Sequence, residues 1–150
     1  MFNIALYQPD IPQNTAAIIR LCSCFDATLE IIEPCGFYIE DKRIKKVAMD
    51  YLDKIKIIKH KSYEDFLIKK KNSRIILMTT KAEKTYTSFN FNKKDTLLFG
   101  RESEGVPNNV HKNSFERLKI PIKKNTRSLN IGIAVAITLS EALRQNSAIK

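Results

Sequence analysis

At 150 residues, 43% hydrophobic and 28% charged, the chain is long enough to bury a core and too apolar to be disordered. Its net charge of +10 favours an anionic partner, nucleic acid first, although a chain rich in Lys, Ile and Asn carries such charge without any function attached. No apolar run approaches a membrane span, and the start Met-Phe-Asn-Ile-Ala-Leu-Tyr has no basic n-region or cleavage site, so neither span nor signal peptide is expected and the cytoplasm is.

Phe2 to Tyr7 reads as a buried first strand, closed by Gln8-Pro9-Asp10-Ile11-Pro12. A helix follows over Asn14–Cys22, with Gln13 or Asn14 near its cap. Thr28 to Ile32 is a second strand, Asp41 to Leu52 a helix, Ile55 to Ile58 a short strand and Tyr63 to Lys71 a helix. Arg74 to Thr80 is the clearest β run of the middle. Thr96-Leu97-Leu98-Phe99 and Leu118-Lys119-Ile120-Pro121-Ile122 read as the last strands, and Leu129 to Gln145 as an apolar closing helix. Strands alternating with helices predict an α/β fold, one domain over 1–150, with a mostly parallel sheet covered on both faces. The closing helix is apolar nearly all round, which suggests a homodimer interface.

The last third holds the candidate site. One strand empties into Gly100-Arg101-Glu102-Ser103-Glu104-Gly105-Val106-Pro107, the other into Lys123-Lys124-Asn125-Thr126-Arg127-Ser128-Leu129-Asn130, and the second loop opens a helix. Loops at strand C-termini and a helix N-terminus are how α/β proteins build ligand sites.

Several chemistries are excluded. Gly100 and Gly105 have P-loop spacing, but Val106 and Pro107 stand where Lys and Ser/Thr are required. The four glycines, Gly36, Gly100, Gly105 and Gly132, form no G-x-G-x-x-G, so no dinucleotide site is expected. Glu102-Ser103-Glu104-Gly105 is not a nucleophile elbow and no histidine lies in the candidate loops. Cys22, Cys24 and Cys35 are odd in number with C-x-C spacing, and His60 and His111 lie far from them in sequence, so buried free thiols are expected and no metal. Two charge clusters stand out. Lys42-Arg43-Ile44-Lys45-Lys46 is either a solvated helix face or a phosphate-binding patch, and Lys69-Lys70-Lys71 reads as a solvated last turn.

Three segments in order resemble the motifs of the SPOUT RNA 2′-O-methyltransferases: Asn14–Arg20, Leu98–Pro107 and Ile120–Asn130. The start NIALYQPDIPQNTAAIIRLC, IIEPCGF and DKRIKKVAMDY are similar to the small tRNA wobble-nucleotide branch, which consists of the catalytic domain alone. The resemblance implies a C-terminal trefoil knot, which topology rules alone would reject. It also implies a homodimer, S-adenosyl-L-methionine as cofactor and the anticodon stem-loop of tRNA as substrate. Carried over to this chain, it implies a cofactor pocket from Met78, Thr79, Gly100, Glu102, Ile120, Ser128, Leu129 and Asn130. It implies Arg20, Asn14, Glu102, Ser128 and Asn130 as the catalytic set, with Arg20 as base or clamp, Asn14 placing Arg20 or the ribose and Glu102 orienting Arg20. A guanidinium is protonated at neutral pH, which favours the clamp. Lys42, Arg43, Lys45, Lys46 and Arg127 are the expected phosphate contacts. Ser103-Glu104 departs from the Thr-Arg frequent in relatives, Gln13 from a proline and Ala16-Ala17 from Gly-Asn. An rRNA 2′-O-methyltransferase of the same superfamily, or a non-catalytic RNA-binding module, are the alternatives.

Overall fold

The computed structural model describes residues 1–146. Six strands, β1 (Asn3–Tyr7), β2 (Thr28–Ile32), β3 (Ile57–His60), β4 (Ile75–Met78), β5 (Thr96–Phe99) and β6 (Glu116–Leu118), form one sheet in the order β3-β2-β1-β5-β4-β6. Every pairing is parallel, so all six C-termini lie along one edge. The helices are α1 (Pro12–Cys24), α2 (Lys42–Ala48), α3 (Tyr63–Lys69), α4 (Asn108–Asn113) and α5 (Ile131–Gln145).

The near-continuous apolar runs of the central strands follow from burial on both faces. Ile4 and Leu6 of β1, Ile76 and Met78 of β4, and Leu97 and Phe99 of β5 face a core completed by Ile18 and Ile19 of α1, Ile44 of α2 and Leu139 of α5. The alternate residues Ala5 and Tyr7, Ile75 and Leu77, and Leu98 face a smaller core with Phe66 of α3 and Val110 of α4. Helices therefore cover both faces, as the alternation predicts.

Local differences from the sequence reading have physical causes. The 41–52 helix is two pieces: α2 ends at Ala48 and a 3-10 turn runs over Met49–Lys54, with Met49 at φ 51°. The last strand is Glu116–Leu118, not Leu118–Ile122: beyond Leu118 the chain leaves the sheet, and Pro121 has no N–H to donate to a ladder. Neither Gln13 nor Asn14 caps α1, whose N-cap is Ile11 with Pro12 in the first turn. Short α4 escapes the sequence reading because Val110 is its one buried residue, which leaves no helical period to detect. Only Cys22 is a buried thiol, its pKa pushed up to about 12 by burial; Cys24 is exposed. Lys70 is not solvated: its ammonium pairs with the fully buried Glu30, whose other oxygen lies 2.6 Å from His60 Nε2.

Candidate active site

A cavity of about 540 Å³ opens at the C-terminal ends of β4, β5 and β6. Its volume lies within the roughly 300–1,000 Å³ of small-molecule sites. The floor is apolar, from Met78, Phe99, Ile120, Leu129, Ile131 and Ala134, and the rim is polar, from Asn14, Thr79, Glu102, Arg127, Ser128 and Asn130. Gly100 completes the set: all eight residues expected to hold the cofactor line this one space.

Each wall is fixed locally. The loop after β5 is closed by reciprocal bonds, Arg101 N–H to the Gly105 carbonyl (3.0 Å) and Gly105 N–H to the Arg101 carbonyl (2.9 Å). A Cβ on Gly100 would lie 2.7 Å from the Gly105 carbonyl carbon, and Gly105 itself sits at φ 67°. Closure of the loop therefore requires glycine at position 100. Asn130 is the N-cap of α5, its Oδ1 accepting from Gly132 N–H at 2.8 Å and Ile133 N–H at 3.4 Å. Its Nδ2 donates to Asn14 Oδ1 at 3.0 Å. One amide thereby starts α5 and ties it to the first turn of α1.

Glu102 joins the same rim to the loop after β1. Asp10 N–H donates to Glu102 Oε2 (3.0 Å), Ser103 Oγ donates to Asp10 Oδ2 (2.5 Å), and Arg101 Nη2 lies 3.5 Å from Asp10 Oδ2. Burial and then the Asp10 carboxyl raise the pKa of Glu102, while the bond to Glu102, Ser103 and the Arg101 charge hold Asp10 low. Desolvation and the neighbouring carboxyl therefore oppose ionisation of Glu102, while Asp10 is favoured as the carboxylate. Glu102 Oε1 is buried without a partner.

Within a single copy of the chain, Arg20 stands apart from the cavity. Its guanidinium lies 5.1 Å over the Tyr51 ring, on an exposed part of α1 outside the cavity lining. Within the same copy Glu102 is engaged with Asp10. Asn14 and Arg20 are six residues apart, about 120° around the helix, so they do not share a face. The cations Lys42, Arg43, Lys45 and Lys46 are exposed on α2, with Arg43 tied to Asp41 (2.8 Å), while Arg127 lies apart from them at the cavity. Sequence reasoning missed His111, which reaches the cavity from α4. Burial first, then the charges of Lys81 and Arg117, lower its pKa and hold it neutral at pH 7. No sequence signal marks it, since α4 is invisible to periodicity.

The family described as SpoU rRNA Methylase matches residues 1–140. The chain belongs to that family. This SpoU methylase is 45% identical over 148 residues to a tRNA (cytidine(34)-2′-O)-methyltransferase of Beijerinckia indica, covering 97% of this chain and 92% of that one. It is 36% identical over 147 residues to the protein of that name from Escherichia coli K12, covering 97% and 94%. A solved structure concerned with 2-OH methylation of C/U34 on tRNA superposes with a TM-score of 0.95 at 33% identity, covering 99% and 98%. No helix among the described residues of this SpoU methylase is long and apolar enough to cross a membrane.

Proposed function

We propose that this chain is an S-adenosyl-L-methionine-dependent methyltransferase that modifies the ribose 2′-hydroxyl of the wobble cytidine or uridine in tRNA. The observation that carries the reading is the convergence of three strand-end loops, with Gly100, Glu102, Ile120 and Ser128–Asn130, on one cavity. Proteins matched over nearly their full length are named tRNA (cytidine(34)-2′-O)-methyltransferase, and a matched solved structure concerns 2-OH methylation of C/U34 on tRNA.

The donor set fits the cofactor: an apolar floor for a heteroaromatic base, and hydroxyl, amide and carboxyl groups at the rim for polar and cationic parts. When bound, S-adenosyl-L-methionine supplies a sulfonium methyl group that a ribose oxygen can take. Met78, Ile120 and Leu129 exclude water from it; Thr79, Ser128 and Asn130 orient its polar groups; Glu102 presents a free oxygen to cationic ones. His111 is the neutral imidazole of the cavity, the state that can accept a proton.

Arg20 is the clamp for substrate phosphate or developing oxyanion, delivered by a second copy of the chain. Gln13, Ala17, Arg20 and Cys24 form one exposed stripe of α1 at helical spacing, and Ile133 of α5 is exposed beside it. Pairing of two copies along this stripe covers the apolar residues and brings Arg20 of one copy toward the cavity of the other. The same reading takes 1–150 as one catalytic domain working in the cytoplasm, with 119–130 as the knotted passage. Support for the passage is the retention of Lys119 between Lys84 and Tyr86, its N–H donating to the Lys84 carbonyl (2.9 Å) and its carbonyl accepting from Tyr86 N–H (3.0 Å).

Methyl transfer from labelled S-adenosyl-L-methionine to total tRNA, with mapping of the labelled nucleotide, tests the reading. Label on the wobble 2′-oxygen is expected. Label on ribosomal RNA alone supports the rRNA alternative, and absence of cofactor binding supports a non-catalytic RNA-binding module.

A further inference from the structure

Between β2 and α2 the chain runs irregularly, and its side chains alternate in burial. Phe37 and Ile39 are half-buried against the larger core. Tyr38, between them, is 83% exposed. Two apolar anchors therefore hold the segment in place and leave outward a ring that adds nothing to the core.

Both ends of this segment are tied to functional parts. On one side, the Tyr38 carbonyl accepts from Asp41 N–H at 3.0 Å, and Asp41 caps α2 by accepting from Arg43 N–H at 2.8 Å. The ring thus precedes the helix that exposes Lys42, Arg43, Lys45 and Lys46. On the other side, Gly36 N–H donates to the Pro9 carbonyl at 3.1 Å, and a Cβ on Gly36 would lie 3.2 Å from Asp10 Cα. Asp10 is the residue whose N–H binds Glu102 at the cavity rim. The backbone that carries this exposed ring is therefore held between the loop that binds Glu102 and the start of a row of cations.

Single-stranded RNA is held by this combination, aromatic faces for splayed bases and cations for the phosphates between them. We propose that Tyr38 is a stacking platform for an unpaired base of the anticodon loop, with α2 holding the adjoining phosphates. The proposal rests on the tRNA reading above. It gives the basic helix a directional role, because stacking orients a loop that charge alone only attracts.

The test uses the full chain and synthetic anticodon stem-loops, with 2-aminopurine replacing loop bases in turn for fluorescence. Tyr38→Ala is expected to raise KM for the stem-loop roughly 5- to 150-fold, the range set by alanine replacement of base-stacking aromatics. Its kcat and cofactor affinity stay at wild-type levels, Tyr38→Phe restores KM, and fluorescence quenching on binding is lost only in Tyr38→Ala. A wild-type KM in Tyr38→Ala overturns the proposal. So does a Tyr38→Phe as weak as Tyr38→Ala, which would make the hydroxyl the contact, or a loss of self-association in Tyr38→Ala, which would make the ring a protein contact. A wild-type chain that methylates no anticodon stem-loop sinks the wobble reading and the stacking proposal together. A fully active wild type beside an indifferent Tyr38→Ala sinks the stacking proposal alone.

Discussion

Two acids withdrawn from solvent, one within β2 and one in the loop after β5, are treated in opposite ways. Glu30 of β2 is fully buried, and it meets two nitrogen groups, the His60 imidazole of β3 and the Lys70 ammonium just beyond α3. Glu102, after β5, meets another acid, Asp10, and keeps an oxygen buried and unpaired. The first arrangement satisfies a buried charge where sheet and helix must hold together. The second spends stability, since desolvation and a neighbouring carboxyl both oppose ionisation. Strained or unsatisfied groups persist where a site uses them. The contrast separates the body of the sheet, which carries the scaffold, from the loops at its C-terminal edge, which line the cavity.

The largest expected effect that sharpens this contrast is at Glu30. Glu30→Ala strands His60 and Lys70 and is expected to lower stability by about 3–5 kcal/mol, the cost of breaking a buried pair. Methyl transfer per folded molecule should be unchanged, so chemical melts paired with activity at low temperature check it; a loss of turnover with full stability would erase the division. Asn130→Ala is intermediate, with about 1 kcal/mol expected from the lost cap. It should also weaken cofactor binding, measured calorimetrically. Asn130→Asp, which keeps the cap oxygen but loses the donor to Asn14, should recover stability and not affinity. Glu102→Gln is the smallest in stability and has the opposite sign. The pKa of Glu102 is raised on folding, so its contribution is present below the ordinary glutamate value and lost as pH rises through the raised one. Glu102→Gln should therefore gain on wild type between pH 4 and pH 7 while transfer falls. Equal melting of the two proteins at both pH values would remove the reading that burial and Asp10 oppose ionisation of Glu102.

The sequence makes the scaffold legible where burial is two-sided. Thr28–Ile32 and Thr96–Phe99 are read to the residue, because runs buried on both faces have abrupt polar ends. The closing helix starts two residues later than read, since Asn130 supplies the cap and Leu129 precedes it. The Leu118–Ile122 run imitates a strand by alternation alone, although its Pro121 argues for an edge or an exit. Within the site, the cofactor residues are legible because they cluster at two loops with glycine, serine and asparagine at meaningful places. Illegible are the relations across distant sequence: Asp10 against Glu102, Asn14 against Asn130, and His111 at the cavity. Each depends on which strands become neighbours, and composition carries no record of that.

The strand order also sets a timetable for synthesis. β1 is made first and lies in the middle of the sheet, yet its partner on one side, β5, pairs Asn3 with Thr96. At about 5–20 residues per second, the open edge of β1 waits roughly 5–20 s for that partner to leave the ribosome. During the wait, β1, β2 and β3 can pair with one another while presenting an apolar edge with free backbone groups to any other nascent chain.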